Sequence, residues 1–259
     1  MELGLDGARV LITGGTDGLG LGLASTLLTE GARVAICGRD DTRLEAALAQ
    51  LEAHGGDVLG LRCDVTDAGA LSELANTVLT SFDGLDALVN NAGHYQAAAV
   101  LDSTDEQWAG DFDLKLHAAV RLSRLCIPAL AASARASILN VLAIAAKAPD
   151  AGTAPTSVAR AAGLALTKVL SKELGPTGIR VNAVLIGHVV SGQWRRMAAS
   201  SGQPTEVFYE ALATQMGIPL GRVGTTQEFA DVAAFLLSPR ASFVTGVGLN
   251  LDGGLSPAV

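Results

Sequence analysis

Two stretches of this 259-residue sequence bear on chemistry, one by what it contains and the other by what it lacks. The first is Thr13-Gly14-Gly15-Thr16-Asp17-Gly18-Leu19-Gly20, a glycine-rich turn between an apolar run and an amphipathic one. Gly14 permits a tight turn, Gly18 lets the backbone approach a pyrophosphate, and Gly20 allows close packing of the helix that follows. That helix presents N–H groups and a positive dipole to an anion, with Thr16 and Leu19 completing the loop. The second apolar strand ends in Cys37-Gly38-Arg39. A carboxylate there would suit a cofactor without a 2′-phosphate; Arg39 instead favours NADP over NAD, although Asp17 adds negative charge nearby. Two further strand ends carry Asp64-Val65 and Asn90-Asn91-Ala92-Gly93, which also read as an Asx turn and a strand-end cap.

The second stretch, Ile138 to Leu174, reads as strand, loop and long helix, and offers almost no acid, base or nucleophile. Ala143, Ala145 and Ala146 follow the strand. Thr156 opens the helix and Arg160 lies one turn further along the same face. The plain reading of Thr156 or Ser157 is a helix cap.

The elements that must position these groups alternate from end to end. Short apolar strands are expected at Arg9–Thr13, Val34–Gly38, Leu59–Cys63, Ala87–Val89, Ser137–Val141, Arg180–Leu185 and Gly248–Leu251. Helices are expected at Leu19–Glu30, Arg43–His54, Ala68–Phe82, Glu106–Ala132, Val158–Leu174 and Gln227–Leu237. This is the pattern of parallel βαβ units joined by right-handed crossovers, an α/β doubly wound sheet of about seven strands with helices on both faces. One domain over residues 1–259 is expected, because no linker divides the chain. Residues 188–222 interrupt the rhythm with Trp194, Phe208 and Tyr209 among polar residues, and read as a helical lid over a cleft.

The formal charge of −8 argues against nucleic acid or an anionic membrane as partner. Three cysteines in apolar settings, without metal-ligand spacing, fit a reducing compartment and exclude a metal centre. The amino end lacks a signal-peptide pattern and no run approaches the roughly 20 apolar residues of a membrane span, so a cytoplasmic protein is expected.

Together these stretches resemble the short-chain dehydrogenase/reductase family across nearly the whole chain. TGGTDGLG looks like that family's TGxxxGxG, Asp64-Val65 its adenine-contacting pair, and Asn90-Asn91-Ala92-Gly93 its NNAG. Arg180-Val181-Asn182 resembles the segment before its PG motif, and Leu251-Asp252-Gly253-Gly254 its carboxyl-terminal DGG. The resemblance implies a nicotinamide dinucleotide held by Gly14, Thr16, Gly18, Leu19, Gly20, Arg39, Asp64, Val65, Asn91, Ala92, Gly93 and Arg160, in a dimer or tetramer. It also implies a catalytic Asn, Ser, Tyr and Lys, and here it fails. Those places fall on Lys115, Ala143, Thr156 and Arg160, and Ile186 replaces the Pro of the PG motif.

An aliphatic hydroxyl is far less acidic than a phenol, Ala143 donates nothing, and Arg160 is a permanent cation that can still hold a cofactor. Two readings follow. One is a catalytically degenerate subunit that binds a nicotinamide dinucleotide and supports an active relative in a homo- or hetero-oligomer. The other is an oxidoreductase with a relocated proton donor, acting on an enone, acyl thioester or similar partly apolar carbonyl substrate. By the same alignment His94, Tyr95, His117 and His188 fall near the cleft, with Tyr95 and His188 as candidate donors and Lys115 with Arg160 as a grip for an anionic group. Lys115 also reads as a structural partner of Asp111 or Asp113. Halohydrin dehalogenases, which resemble this family, share an Arg in the Lys position but keep the Ser and Tyr and lose the glycine loop, the reverse of this chain.

Overall fold

The computed structural model describes residues 2–259. Strands β1 (Arg9–Thr13), β2 (Arg33–Gly38), β3 (Val58–Arg62), β4 (Ala87–Asn90), β6 (Ser137–Ala143), β8 (Arg180–Ile186) and β9 (Gly248–Leu251) form one parallel sheet. Its order is β3-β2-β1-β4-β6-β8-β9. Two short strands, β5 (Ala97–Ala98) and β7 (Ala154–Pro155), pair antiparallel outside it. The helices are α1 (Gly18–Thr29), α2 (Asp41–Glu52), α3 (Ala68–Phe82), α4 (Asp105–Phe112), α5 (Ala118–Ala131), α6 (Thr156–Leu174), α7 (Gly192–Ser200), α8 (Thr205–Met216) and α9 (Thr226–Leu237).

Alternation of side chains along each strand builds a core on either face of the sheet. Val10 and Ile12 of β1 join Leu23 and Leu27 of α1, Leu51 of α2 and Phe229 of α9. Leu11, between them in sequence, points the other way, into Val78 of α3, Leu122 and Cys126 of α5 and Leu174 of α6. Strands buried on both faces need continuous apolar runs, which is why these segments are legible in the sequence. The seven sheet strands fall within two residues of their expected bounds. Strand order reverses beside β1, whose neighbours are β2 and β4, and the carboxyl ends of β1 and β4 therefore open the crevice where this architecture takes ligands.

The expected helix Glu106–Ala132 is present but is not α-helical throughout: α4 runs into α5 through a π-helical turn, Asp113–His117, of which Lys115 is the central residue. The wider turn rotates Lys115 inward, a change that hydrophobic periodicity does not register. Residues 188–222 contain α7 and α8, as expected of a helical segment there. No helix among the described residues is long and apolar enough to cross a membrane.

Candidate active site

The glycine loop is built by contacts from β4. Thr13 Oγ1 accepts from the backbone N–H groups of Asn91 and Ala92, each at 3.0 Å, and Asn91 Nδ2 donates to the carbonyls of Thr13 (2.9 Å) and Gly14 (3.0 Å). Asn91 therefore fixes the loop. Gly14 and Gly18 have φ of +64° and +56°, backbone that glycine adopts without strain. A Cβ at Gly20 would stand 2.3 Å from the Gly14 carbonyl oxygen, so only glycine lets α1 start this close to the strand. Asp17 caps α1, accepting from the Gly18 N–H at 2.7 Å.

Beside this loop lie the groups expected to select the cofactor. A Cβ at Gly38 would press against the Thr16 side chain, so β2 ends close to the loop. Arg39 is solvent-exposed and its Nη1 is 3.6 Å from Asp64 Oδ2. Val65 is buried. A nicotinamide dinucleotide fits this arrangement: a glycine-rich loop, a helix N-terminus, and an exposed cation at the end of β2.

Three of the positions on which the tetrad was expected to fall, Lys115, Thr156 and Arg160, lie together. Lys115 Nζ donates to Asp111 Oδ1 at 2.6 Å and to Thr156 Oγ1 at 2.7 Å, and all three residues are buried. The capping role expected of Thr156 is thus overturned: α6 has no side-chain cap, and the Thr156 hydroxyl oxygen accepts a hydrogen bond from Lys115 instead. Ser157 also does not cap; its Oγ accepts from Thr153 Oγ1 at 3.1 Å. Burial pulls the Lys115 ammonium down to about 8; the Arg160 charge adds to this and Asp111 opposes it. Burial likewise lowers Arg160, with Asp111 opposing. Asp111 Oδ2 has no protein partner. Arg160 lies close to Gly93 and lines, with Lys115, Asn90, Asn140 and Thr13, a cavity of about 20 Å³. Ala143 ends β6 without a polar group to offer.

The structure gathers Lys115, Thr156 and Arg160 but not the other candidates. Tyr95 is 59 % exposed on the loop after Gly93. His94 bonds to Gln96, and His117 is paired with Asp113 at 2.8 Å. His188 stacks edge-on against Trp194, centroids 5.2 Å apart, and lines a separate pocket with Arg222 and Asp252; burial lowers its pKa. Of the two carboxylates that the sequence offered as partners of Lys115, the structure pairs it with Asp111, while Asp113 pairs with His117. The spacing of four between Asp111 and Lys115 was the available signal. Sequence reasoning passed over the Tyr209 hydroxyl, which is buried in the lid without a partner.

Sheet order, glycine loop and crevice together define a Rossmann-type, dinucleotide-binding fold. A family model described as enoyl-(acyl carrier protein) reductase matches residues 14–256. An uncharacterised oxidoreductase of Mycobacterium bovis is 35% identical over 252 residues, 96% of this chain and 97% of its own. The 3-oxoacyl-[acyl-carrier-protein] reductase of Chlamydia pneumoniae is 32% identical over 99% of this chain and 100% of its own. Among solved structures, an NADPH-bound short chain oxidoreductase of Pseudomonas aeruginosa, described as containing an atypical catalytic center, superposes with a TM-score of 0.92 at 36% identity, covering 97% of this chain and 98% of that one. L-Sorbose reductase of Gluconobacter frateurii, complexed with NADPH and L-sorbose, gives 0.94 at 30% identity with both chains fully covered. The chain belongs to the short-chain dehydrogenase/reductase family.

Proposed function

We propose that this protein is an NADP(H)-dependent oxidoreductase of a carbonyl substrate in which Lys115, acting through Thr156, replaces the tyrosine as proton donor. The observation that carries the reading is the Asp111–Lys115–Thr156 cluster. A lysine taken out of water with a pKa near 8 costs the fold stability that an apolar residue would not. Such a group beside the nicotinamide end of the crevice is tuned for proton transfer near neutral pH. NADPH, when bound, supplies the hydride. As the carbonyl carbon accepts it, the carbonyl oxygen takes the Thr156 proton while Thr156 takes one from Lys115, which is left neutral beside Asp111. Arg160 keeps a cation at the cofactor ribose. Two of the similar proteins are named as reductases, the other two as oxidoreductases, and two of the similar structures hold NADPH, which supports both the reaction class and NADP over NAD.

A partly apolar or anionic substrate is consistent with the lid, residues 188–222, where Phe208 and Tyr209 pack edge to face. Val158 and Val169, 43 % and 50 % exposed on α6, are apolar residues that a second short-chain dehydrogenase/reductase subunit would cover.

The degenerate-subunit reading has one observation in its favour. Thr156 is 1 % exposed and Lys115 7 %, and the cavity beside them has room for one water. Calorimetric titration with NADPH and NADH, followed by a screen of ketones, enones and acyl thioesters with the cofactor that binds, decides between the two. Turnover by the purified chain that disappears in Lys115→Met establishes the oxidoreductase. Binding without turnover, with activity appearing only on addition of a related subunit, establishes the supporting role.

A further inference from the structure

The lid and the glycine loop are joined by charge. Arg196 Nη1 is 2.8 Å from Asp17 Oδ2, and Arg195 Nη2 bonds the other oxygen, Asp17 Oδ1. The same Oδ1 accepts the first N–H of α1. A Cβ at Gly18 would stand 2.9 Å from the backbone nitrogen of Gly192, and one at Gly192 would overlap the Asp17 carboxylate, so the first residue of α7 is also seated on this group. Burial alone would raise the Asp17 carboxyl; hydrogen bonds from Arg196 and Gly18 and the charges of both arginines outweigh it and hold it below its ordinary value.

The balance of charge is unequal. Two guanidinium groups and the starts of two helices face a single carboxylate, where a pyrophosphate would bring two negative charges. The carboxylate stands at the place on the α1 terminus that a dinucleotide pyrophosphate takes in this architecture. We propose that Arg195 and Arg196 are cofactor-binding residues: they clamp the pyrophosphate of the bound dinucleotide from the lid, and Asp17 holds them in the free protein as a competing intramolecular anion. This rests on the dinucleotide reading above. Cofactor binding then moves the grip of α7 from Asp17 to the phosphates, and α7 lies on the same segment as Trp194, Phe208 and Tyr209. The Arg195 and Arg196 side chains are about half exposed, so replacing them leaves the core intact.

The test is calorimetric titration of NADPH and of NADH into the wild type, Arg195→Ala/Arg196→Ala, and Asp17→Asn, which keeps the helix cap while removing the charge. The double variant is expected to bind both cofactors roughly tenfold or more weakly, by similar factors, since the pyrophosphate is common to both. Asp17→Asn is expected to bind both several-fold more tightly. Unchanged or tighter binding by the double variant would overturn the clamp and leave the arginines as a latch alone. A loss confined to NADPH would overturn it too, placing the arginines at the 2′-phosphate, as would unchanged or weaker binding by Asp17→Asn. If neither the wild type nor Asp17→Asn binds either cofactor, the dinucleotide reading itself fails and this proposal with it.

Discussion

Lys115 Nζ and Thr156 Oγ1 lie 2.7 Å apart although 41 residues separate them in the chain. One sits on a π-helical turn and the other at the first residue of α6, and Asp111 fixes the lysine from one turn behind. Proton transfer through this contact needs a donor that can lose its charge. Lys115→Arg retains the cation and cannot release a proton, so it is expected to lower kcat by about 10²–10⁴ while NADPH affinity is kept. Steady-state rates with calorimetry check this; wild-type turnover in Lys115→Arg would remove Lys115 from the reaction.

With Lys115 as the proposed donor, the rate of reduction should be flat below pH 8 and fall as pH rises through about 8, with the reverse direction gaining over the same range. Stability moves oppositely. The lysine pKa is lower folded than unfolded, so between about 8 and its ordinary value the unfolded chain binds more protons, and raising the pH relieves the cost of the buried charge. Urea melts on either side of pH 8, wild type against Lys115→Met, measure this, with the variant expected to lack the rise.

At the far end of the cofactor site, Arg39→Ala should weaken NADPH roughly tenfold or more and leave NADH unchanged, since the side chain is exposed and lies 3.6 Å from Asp64. Equal loss of both cofactors would mean that Arg39 supports the loop and does not read the 2′-phosphate.

Glycine is required at some places and incidental at others. Gly20→Ala drives a methyl group into the Gly14 carbonyl oxygen and Asn91 Nδ2 and is expected to cost about 1–3 kcal/mol and abolish dinucleotide binding. Gly110→Ala meets nothing within 4 Å in α4 and should instead stabilise by about 0.5–1 kcal/mol. Thermal melts of the two variants distinguish a packing requirement from general intolerance.

The opposite end of the sheet is held by Asp86. It accepts from the Arg9 backbone and guanidinium at 2.9 Å and from Ser133 Oγ at 2.6 Å. Burial would raise its carboxyl, yet these bonds and the Arg9 charge bring it down to about 2. Its contribution is therefore present above the ordinary carboxylate range and is lost as pH falls toward 2. Asp86→Ala should destabilise by about 3 kcal/mol at neutral pH, with a difference from wild type that shrinks in acid. Equilibrium unfolding across that range is the measurement.

The sequence by itself determined the sheet strands and the cofactor loop. Both depend on local chemistry: strands buried on two faces must be apolar throughout, and a turn in which an added Cβ would stand 2.3 Å from a carbonyl oxygen must be glycine. It also gave the expectation that the usual acid and hydroxyl donor are missing, because the family's counted positions fall on Ala143 and Thr156. Tertiary structure alone decided which side chains meet at those positions. The π-helical turn that swings Lys115 inward leaves no mark in a hydrophobic period, and the pairing of Lys115 with Thr156, like that of Asp17 with Arg195 and Arg196, joins residues whose separation in sequence carries no information about their contact. A burial-shifted lysine pKa exists only once the surrounding chain has excluded water, which is why the centre of this protein reads in sequence as a deficit and in structure as a cluster.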